Sequence, residues 1–274
     1  MRKAKPLQAS EQREFKRVVV ISDFHCGHAV GLTHPDFNPK YSDGSRAAEA
    51  SVMRSVYWSL YAGTLGELKP IDVLVVNGDC IDGKGEASGG TELLTANRNE
   101  QVEMATAAIL EAEAKTIVMA YGTAYHTGKS EDFEDQIARA VNAAKIGSHD
   151  WIDVNGLVFD YKHHIAGSQI PHGRHTAAAR DRLWNLMWSE FGEYPKADVI
   201  VRSHVHYFDY VGGSNWVALT TPALQGYGTK YGKRRMSGTV DFGLLSFDVW
   251  SKSKFGWKAH VWKDVRFGSS ALKV

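Results

Sequence analysis

Two short segments each carry a pair of metal-binding side chains one residue apart, Asp23-x-His25 and His204-x-His206. Between them lie Asp79 and Asp82 in Gly78-Asp79-x-x-Asp82, His126 four residues after Gly122, and the neighbours His163 and His164. In extended backbone, residues i and i+2 point to the same side, so each pair can converge on one centre. By the same rule His163 and His164 face opposite ways; one of them should bind, with His163 preferred. A mixed set of Asp and His suits borderline divalent cations such as manganese, iron or zinc, and argues against a thiolate-only site. A carboxylate that bridges two cations, the role expected of Asp79, holds them roughly 3.5–4 Å apart.

Each of these residues follows a strand-like run, and such runs must position them. "RVVVIS" (17–22), "DVLVVNG" (72–78) and "TIVMAYG" (116–122) are short β-branched segments of the buried type. Helix patterns over 46–68, 91–114 and 130–144 alternate with them; the last opens on Ser130 and acidic residues, as a helix N-terminus prefers. Residues 151–164 hold Asn155-Gly156 between two strand-like runs, a strong hairpin signal. An amphipathic helix is expected over 174–191, carrying Leu183, Leu186, Met187 and Trp188. Strands follow at 198–203, 206–211, 215–220, 239–249 and 256–263. This order predicts two packed sheets with helices outside, forming one domain over 17–274 after a lead-in at 1–16. In open α/β sheets, ligands bind beyond the carboxyl ends of the strands, where five of these runs end in Asp or His.

The 274 residues can bury a sizeable core, and the formal charge of +1 gives no global field that would draw the chain to nucleic acid or membrane. No apolar run reaches the roughly 18 residues of a membrane span, and the polar, basic N-terminus has no apolar core of a secretory signal. These features lead us to expect a cytoplasmic protein. Cys26 and Cys80 are too few for a disulfide framework and are expected to pack as small apolar residues. The eight tryptophans are expected mostly in the core, with Trp151 and Trp216 nearest the ligand segments.

Taken in order, "SDFHCGH" (22–28), "NGDCID" (77–82), Gly122 with His126, His163/His164 and "SHVH" (203–206) resemble the motif series of the calcineurin-like metallophosphoesterase superfamily. The resemblance spans residues 18–207. It implies a four-layer αββα sandwich and a hydrolase of phosphomonoesters or phosphodiesters that uses two divalent cations, manganese first, with iron, zinc, nickel or magnesium as alternatives. It places Asp23, His25, Asp79 and His206 on one cation, and Asp79, His204 and His163 or His164 on the other, with a hydroxide bridging the pair as nucleophile. The third motif departs from the family's Gly-Asn-His. Here the chain reads Gly122-Thr-Ala-Tyr-His126, so His126 either replaces the missing Asn as a ligand or donates a proton to the leaving group while Thr123 or water completes the shell. Asp82 would orient a ligand rather than bind metal.

Substrate contacts are expected from His28, which is otherwise a solvated loop residue, and from Arg174 and His175 at a helix start that favours anions. The loop 83–90 could line the mouth. Tyr227, Lys230, Tyr231, Lys233, Arg234 and Arg235 mix aromatics with cations, as a single-stranded nucleic acid groove would need. That cluster reads first as a solvated loop; a nucleotide or nucleic acid phosphoester is the favoured substrate. His34, His149, His172 and His260 are expected at the surface or in packing. Two other readings compete: a non-catalytic scaffold of the same fold that binds a partner protein, and a mononuclear hydrolase in which His126 lies far from the metal.

Overall fold

Alternation along the first strand sets the architecture of the computed structural model, which describes residues 13–41, 45–128, 131–168, 170–229, 232 and 240–262. In chain order, the first half holds β1 (Lys16–Ile21), α1 (Arg46–Leu68), β2 (Val73–Val76), α2 (Arg98–Leu110), β3 (Thr116–Ala120), α3 (Ala124–Thr127), α4 (Phe133–Ala140) and β4 (Lys145–Gly147). The second half holds β5 (Asp150–Val154), β6 (Leu157–Tyr161), α5 (Thr176–Glu190), β7 (Val199–Arg202), β8 (Asp209–Gly212), β9 (Val217–Thr220), β10 (Phe242–Ser251) and β11 (Lys254–Trp262). Val19 and Ile21 of β1 face one way, into a core with Tyr57, Tyr61 and Leu65 of α1 and Ile109 of α2. Val18 and Val20 face the other way, into a core with Phe159, Val199, Val201 and Leu219 of the opposite sheet. A strand apolar on both faces must be covered on both, and β1 is.

The first sheet runs β11-β10-β1-β2-β3-β4, and the second β5-β6-β7-β9-β8. β1 through β4 are parallel, while β10 and β11 close one edge antiparallel. In the second sheet β6, β7 and β9 are parallel, with β5 and β8 antiparallel at the edges. Ala177 and Ala178 of α5 pack on Ile200 and Ala218 of the second sheet's outer face. The result is helices, sheet, sheet, helix: the four-layer αββα sandwich. Among the described residues no helix is long and apolar enough to cross a membrane.

Several expectations are corrected. α2 begins at Arg98 instead of residue 91, because Asn97 caps it by accepting from the N–H groups of Asn99 and Glu100. The helix expected over 130–144 starts at Phe133, capped by Asp132; Ser130 lies outside the described residues. Asn155 and Gly156, both at positive φ, make the expected hairpin turn. α5 buries Ala177, Ala178 and Asn185 and leaves Leu183, Met187 and Trp188 exposed. Most tryptophans are only partly buried or exposed, and Trp58 alone among those described is fully core. Residues 1–12 of the lead-in lie outside the described residues, as do Lys230, Tyr231 and 233–235 of the aromatic-basic cluster.

Candidate metal centre

The parallel strands β1, β2 and β3 and the second-sheet strands β6 and β7 all release their chains at one edge. The loops after β1 and β2 are joined there: the Asp23 N–H donates to the Gly78 carbonyl at 3.0 Å, His25 to Asp79 at 3.1 Å and Cys26 to Cys80 at 3.0 Å. Contrary to expectation, these candidate ligands are not in extended backbone. Asp23, His25, Asp79, His204 and His206 all have positive φ, from 46° to 73°. Non-glycine residues rarely adopt this region, and Asp, Asn and His tolerate it best. Left-handed turns at alternate residues, not strand pleat, turn these side chains inward.

Three groups result. Asp23, His25 and His206 place ligand atoms within 4.8 Å of one another; so do Asp79, His163 and His204, and so do His25, Asp82 and His126. Nε2 of His25 and Nε2 of His206 are 3.2 Å apart. His163 Nε2 lies 3.0 Å from Asp79 Oδ2 and 4.0 Å from Asp23 Oδ1, which links the first two groups. Hydrogen bonds aim the rings. His163 Nδ1 donates to the Asn77 carbonyl at 2.7 Å, and His25 Nδ1 faces Asp82 Oδ1 at 3.2 Å, so both present Nε2 inward. His163 is buried and His164 exposed, the latter stacking on the His204 ring.

The electrostatics point the same way. Burial would raise Asp79, but His163 overrides it and holds the carboxyl well below the usual range. Burial would likewise raise Asp23, and the charge of His206 outweighs it. In return the two carboxylates, Asp79 foremost, lift His163 to about 10 against the effect of burial. His204, half-buried beside His163, falls to about 4, desolvation first and the charge of His163 second. The pocket is thus a basin of negative potential that selects positive charge. Asp23 Oδ1 lies 3.1 Å from His206 Nε2, and His163 Nε2 lies 3.0 Å from Asp79 Oδ2, so carboxylate oxygens and imidazole nitrogens face one another across the pocket. Atoms of these two kinds are the ones that coordinate borderline divalent cations. The donor set therefore fits a pair of borderline divalent ions.

His126 is in neither of the first two groups; it shares the third with His25 and Asp82. Its Nδ1 donates to the Asp82 carbonyl at 3.0 Å, and its ring meets His25 edge-on. Thr123 stands nearest the position of the missing Asn: its N–H donates to Asp79 Oδ1 at 2.6 Å and its hydroxyl lies 3.1 Å from the same atom. Beside His126 opens a cavity of about 250 Å³, lined by Gly83, Lys84, Glu86, Arg98 and Tyr125 among others. The 83–90 loop thus reaches the mouth. His28 is buried, not solvated; its Nδ1 accepts from the Val30 N–H, and burial lowers its pKa. Arg174 lies over the ring of Tyr207, next to His206, and His175 faces Asp209 at 4.0 Å. Neither is in any of the three groups. The thiols of Cys26 and Cys80 are buried and pushed up by burial, as packing residues are.

Sequence reasoning missed the supports. Glu134 of α4 is wholly buried, and its carboxylate accepts from the Cys80 N–H at 3.0 Å and the Gly122 N–H at 2.6 Å. It clamps the Asp79 loop to the Thr123 loop. Burial raises it to about 7, and its two N–H partners oppose that rise. A buried hydroxyl chain, Ser22–Thr221–Ser203–Asn77, runs beneath the ligands at 2.7, 2.8 and 2.7 Å and ties the two sheets together. No local spacing marks these residues.

No family model and no curated protein matches the chain. Solved structures do. A purple acid phosphatase from seeds of yellow lupin, Lupinus luteus, is 13% identical with a TM-score of 0.52, over 93% of this chain and 53% of its own length. The chain has the fold of the calcineurin-like metallophosphoesterases. Weaker likenesses include a single mutant of Vps29 from Entamoeba histolytica, 11% identical with a TM-score of 0.44 over 90% of this chain and 99% of that one. A novel archaeal phosphodiesterase is 12% identical, with a TM-score of 0.42 over 89% and 99%.

Proposed function

We propose that this metallophosphoesterase-fold chain is a phosphoric ester hydrolase that works with two divalent cations. The observation that carries the reading is the pair of linked groups, each a carboxylate with two imidazoles, whose ligand atoms converge within 4.8 Å of one another. Asp23, His25 and His206 would hold one ion, and His163 and His204 the other, with Asp79 between them. Manganese is the first candidate, with iron, zinc, nickel and magnesium behind it. Such a pair supplies a nucleophile at neutral pH and neutralises charge on the phosphoryl oxygens.

The chain's own residues do the rest. Asp82 and the Asn77 carbonyl hold His25 and His163 in the tautomer that presents Nε2. Thr123 fixes the Asp79 carboxylate. His126, its Nδ1 anchored on the Asp82 carbonyl, is placed to hand a proton from Nε2 to the departing alkoxide. Burial and the charge of His25 lower its pKa; an anionic phosphate beside the ring favours its protonated form. The cavity with Lys84, Arg98 and Tyr125 suits an aromatic or anionic leaving group, which keeps nucleotide and nucleic acid esters in front. His28 lies too deep for more than the edge of a substrate, and Arg174 and His175 would act from the rim.

The purified chain, loaded with manganese, is expected to hydrolyse bis-p-nitrophenyl phosphate, and Asp79→Asn or His163→Ala to abolish turnover. Single-stranded and duplex DNA run in parallel define the substrate. The altered third motif, Gly122-Thr123, is the feature that favours the alternative, a scaffold of this fold that binds a partner protein. Full metal occupancy without turnover on any ester would select it.

A further inference from the structure

The outer face of α5 is apolar where a surface helix should be polar. Leu183, Trp184, Met187, Trp188 and Phe191 lie on one stripe, at i, i+1, i+4, i+5 and i+8, and Tyr194 extends it past the helix end. Each is exposed, Tyr194 least at 38% and Phe191 most at 71%. The rings form one cluster: Trp184 stacks on Trp188 at 6.5 Å, and Trp188 meets both Phe191 and Tyr194 at 6.1 Å. The helix does not need this face to hold its place. Ala177 and Ala178 seat it on the sheet, Asp181 accepts from Arg202 Nε at 2.7 Å, and Asn185 bonds the Pro195 carbonyl and the Ala197 N–H. Half-exposed side chains of this size, each able to bury about 150–250 Å² when aromatic, together present several hundred Å², on the order of the ~800 Å² per partner of a stable interface.

The charges around the stripe say what fits it. Arg180 lies exposed toward its N-terminal end, and Glu190 and Glu193 lie exposed toward its C-terminal end. Two copies of the helix laid antiparallel across a two-fold axis near Met187 would set Trp188 and Phe191 against Trp184 and Leu183 of the mate. The same axis would place Arg180 of each copy by Glu190 and Glu193 of the other. An isologous contact requires this self-complementarity. We propose that the chain forms a two-fold dimer through the α5 aromatic stripe.

Sedimentation analysis of the full chain over a micromolar concentration series tests this. A species of twice the 30.3 kDa chain mass is expected. The double variant Trp188→Glu, Phe191→Glu should be monomeric at every concentration, with metal content and ester turnover unchanged. Arg180→Glu alone should raise the dimer dissociation constant at least tenfold, and adding Glu190→Lys and Glu193→Lys should restore it; these exposed changes keep the test valid if the aromatic variant does not fold. A wild-type chain that stays monomeric throughout would overturn the proposal and leave the stripe to a different protein or a lipid surface. So would a dimer that survives both sets of substitutions.

Discussion

Five of the six residues in the two linked groups sit in left-handed backbone, a conformation that costs on the order of 1–3 kcal/mol per residue where the surroundings must impose it. The neighbouring glycines make this geometry possible. A Cβ on Gly122 would lie 2.2 Å from Asp79 Oδ1 and 2.3 Å from its backbone N, and one on Gly78 would lie 2.8 Å from His163 Nδ1. Gly122→Ala should therefore displace the Asp79 carboxylate. We expect a folded protein, by circular dichroism, with a tenfold or greater loss in metal affinity by titration. At His126 the expected signature is dependence on the leaving group. His126→Ala should cost about 10²–10⁴-fold on alkyl or nucleoside esters, whose alkoxide needs a proton, and far less on p-nitrophenyl esters, which leave unaided. Steady-state rates on the two substrate kinds read the difference directly. A uniform loss would assign His126 to metal binding instead.

At the scale of elements, the supports explain what could be read from sequence and what could not. The candidate ligands follow strands directly, in pairs after β1 and β7 and singly after β2, so Asp23, His25, Asp79, His204 and His206 stand out locally. Glu134 reaches Cys80 across 54 positions from another helix, and only the assembled fold shows that it is an acceptor for two loops. Glu134→Ala strands two buried N–H groups, at about 1–3 kcal/mol each, and should lower both melting temperature and metal affinity; Glu134→Gln should recover part of both. The apolar periodicity of α5 is real but faces outward. Its inward face is small, and ions fix it instead. Arg202 binds Asp160 at 2.6 Å and Asp181 at 2.7 Å, and His149 Nε2 lies 2.9 Å from Asp160. Burial would raise Asp160, but the Arg202 charge dominates and lowers it. A carboxyl depressed in the folded state stabilises above its unfolded pKa, near 3.9, and loses that contribution as pH falls through the folded value. Asp160→Asn should accordingly destabilise at neutral pH, by up to about 3–5 kcal/mol with Asp181 retaining part of the pairing. It should also flatten the acid limb of the stability curve, as urea melts across pH would show.

The whole molecule places the two sheets so that their strand ends share one site. The alternating valines of β1 announce a strand covered on both faces, and the two-sheet order follows from the run of helices and strands. The angle at which loops bend into left-handed turns does not, because it arises from cross-loop hydrogen bonds such as Asp23 to Gly78. The candidate ligands follow strands of both sheets, so cation binding should act as a staple between them. Saturation to about 100 times the dissociation constant adds about 2.7 kcal/mol to folding stability. Chelation should therefore lower the melting temperature of the wild type and leave Asp79→Asn nearly unchanged in a thermal scan. The most direct test is an anomalous difference map from crystals grown with manganese. Two peaks per chain are expected, one bounded by Asp23, His25 and His206 and the other by Asp79, His163 and His204. A single peak, or none within reach of these side chains, would contradict the two-cation reading.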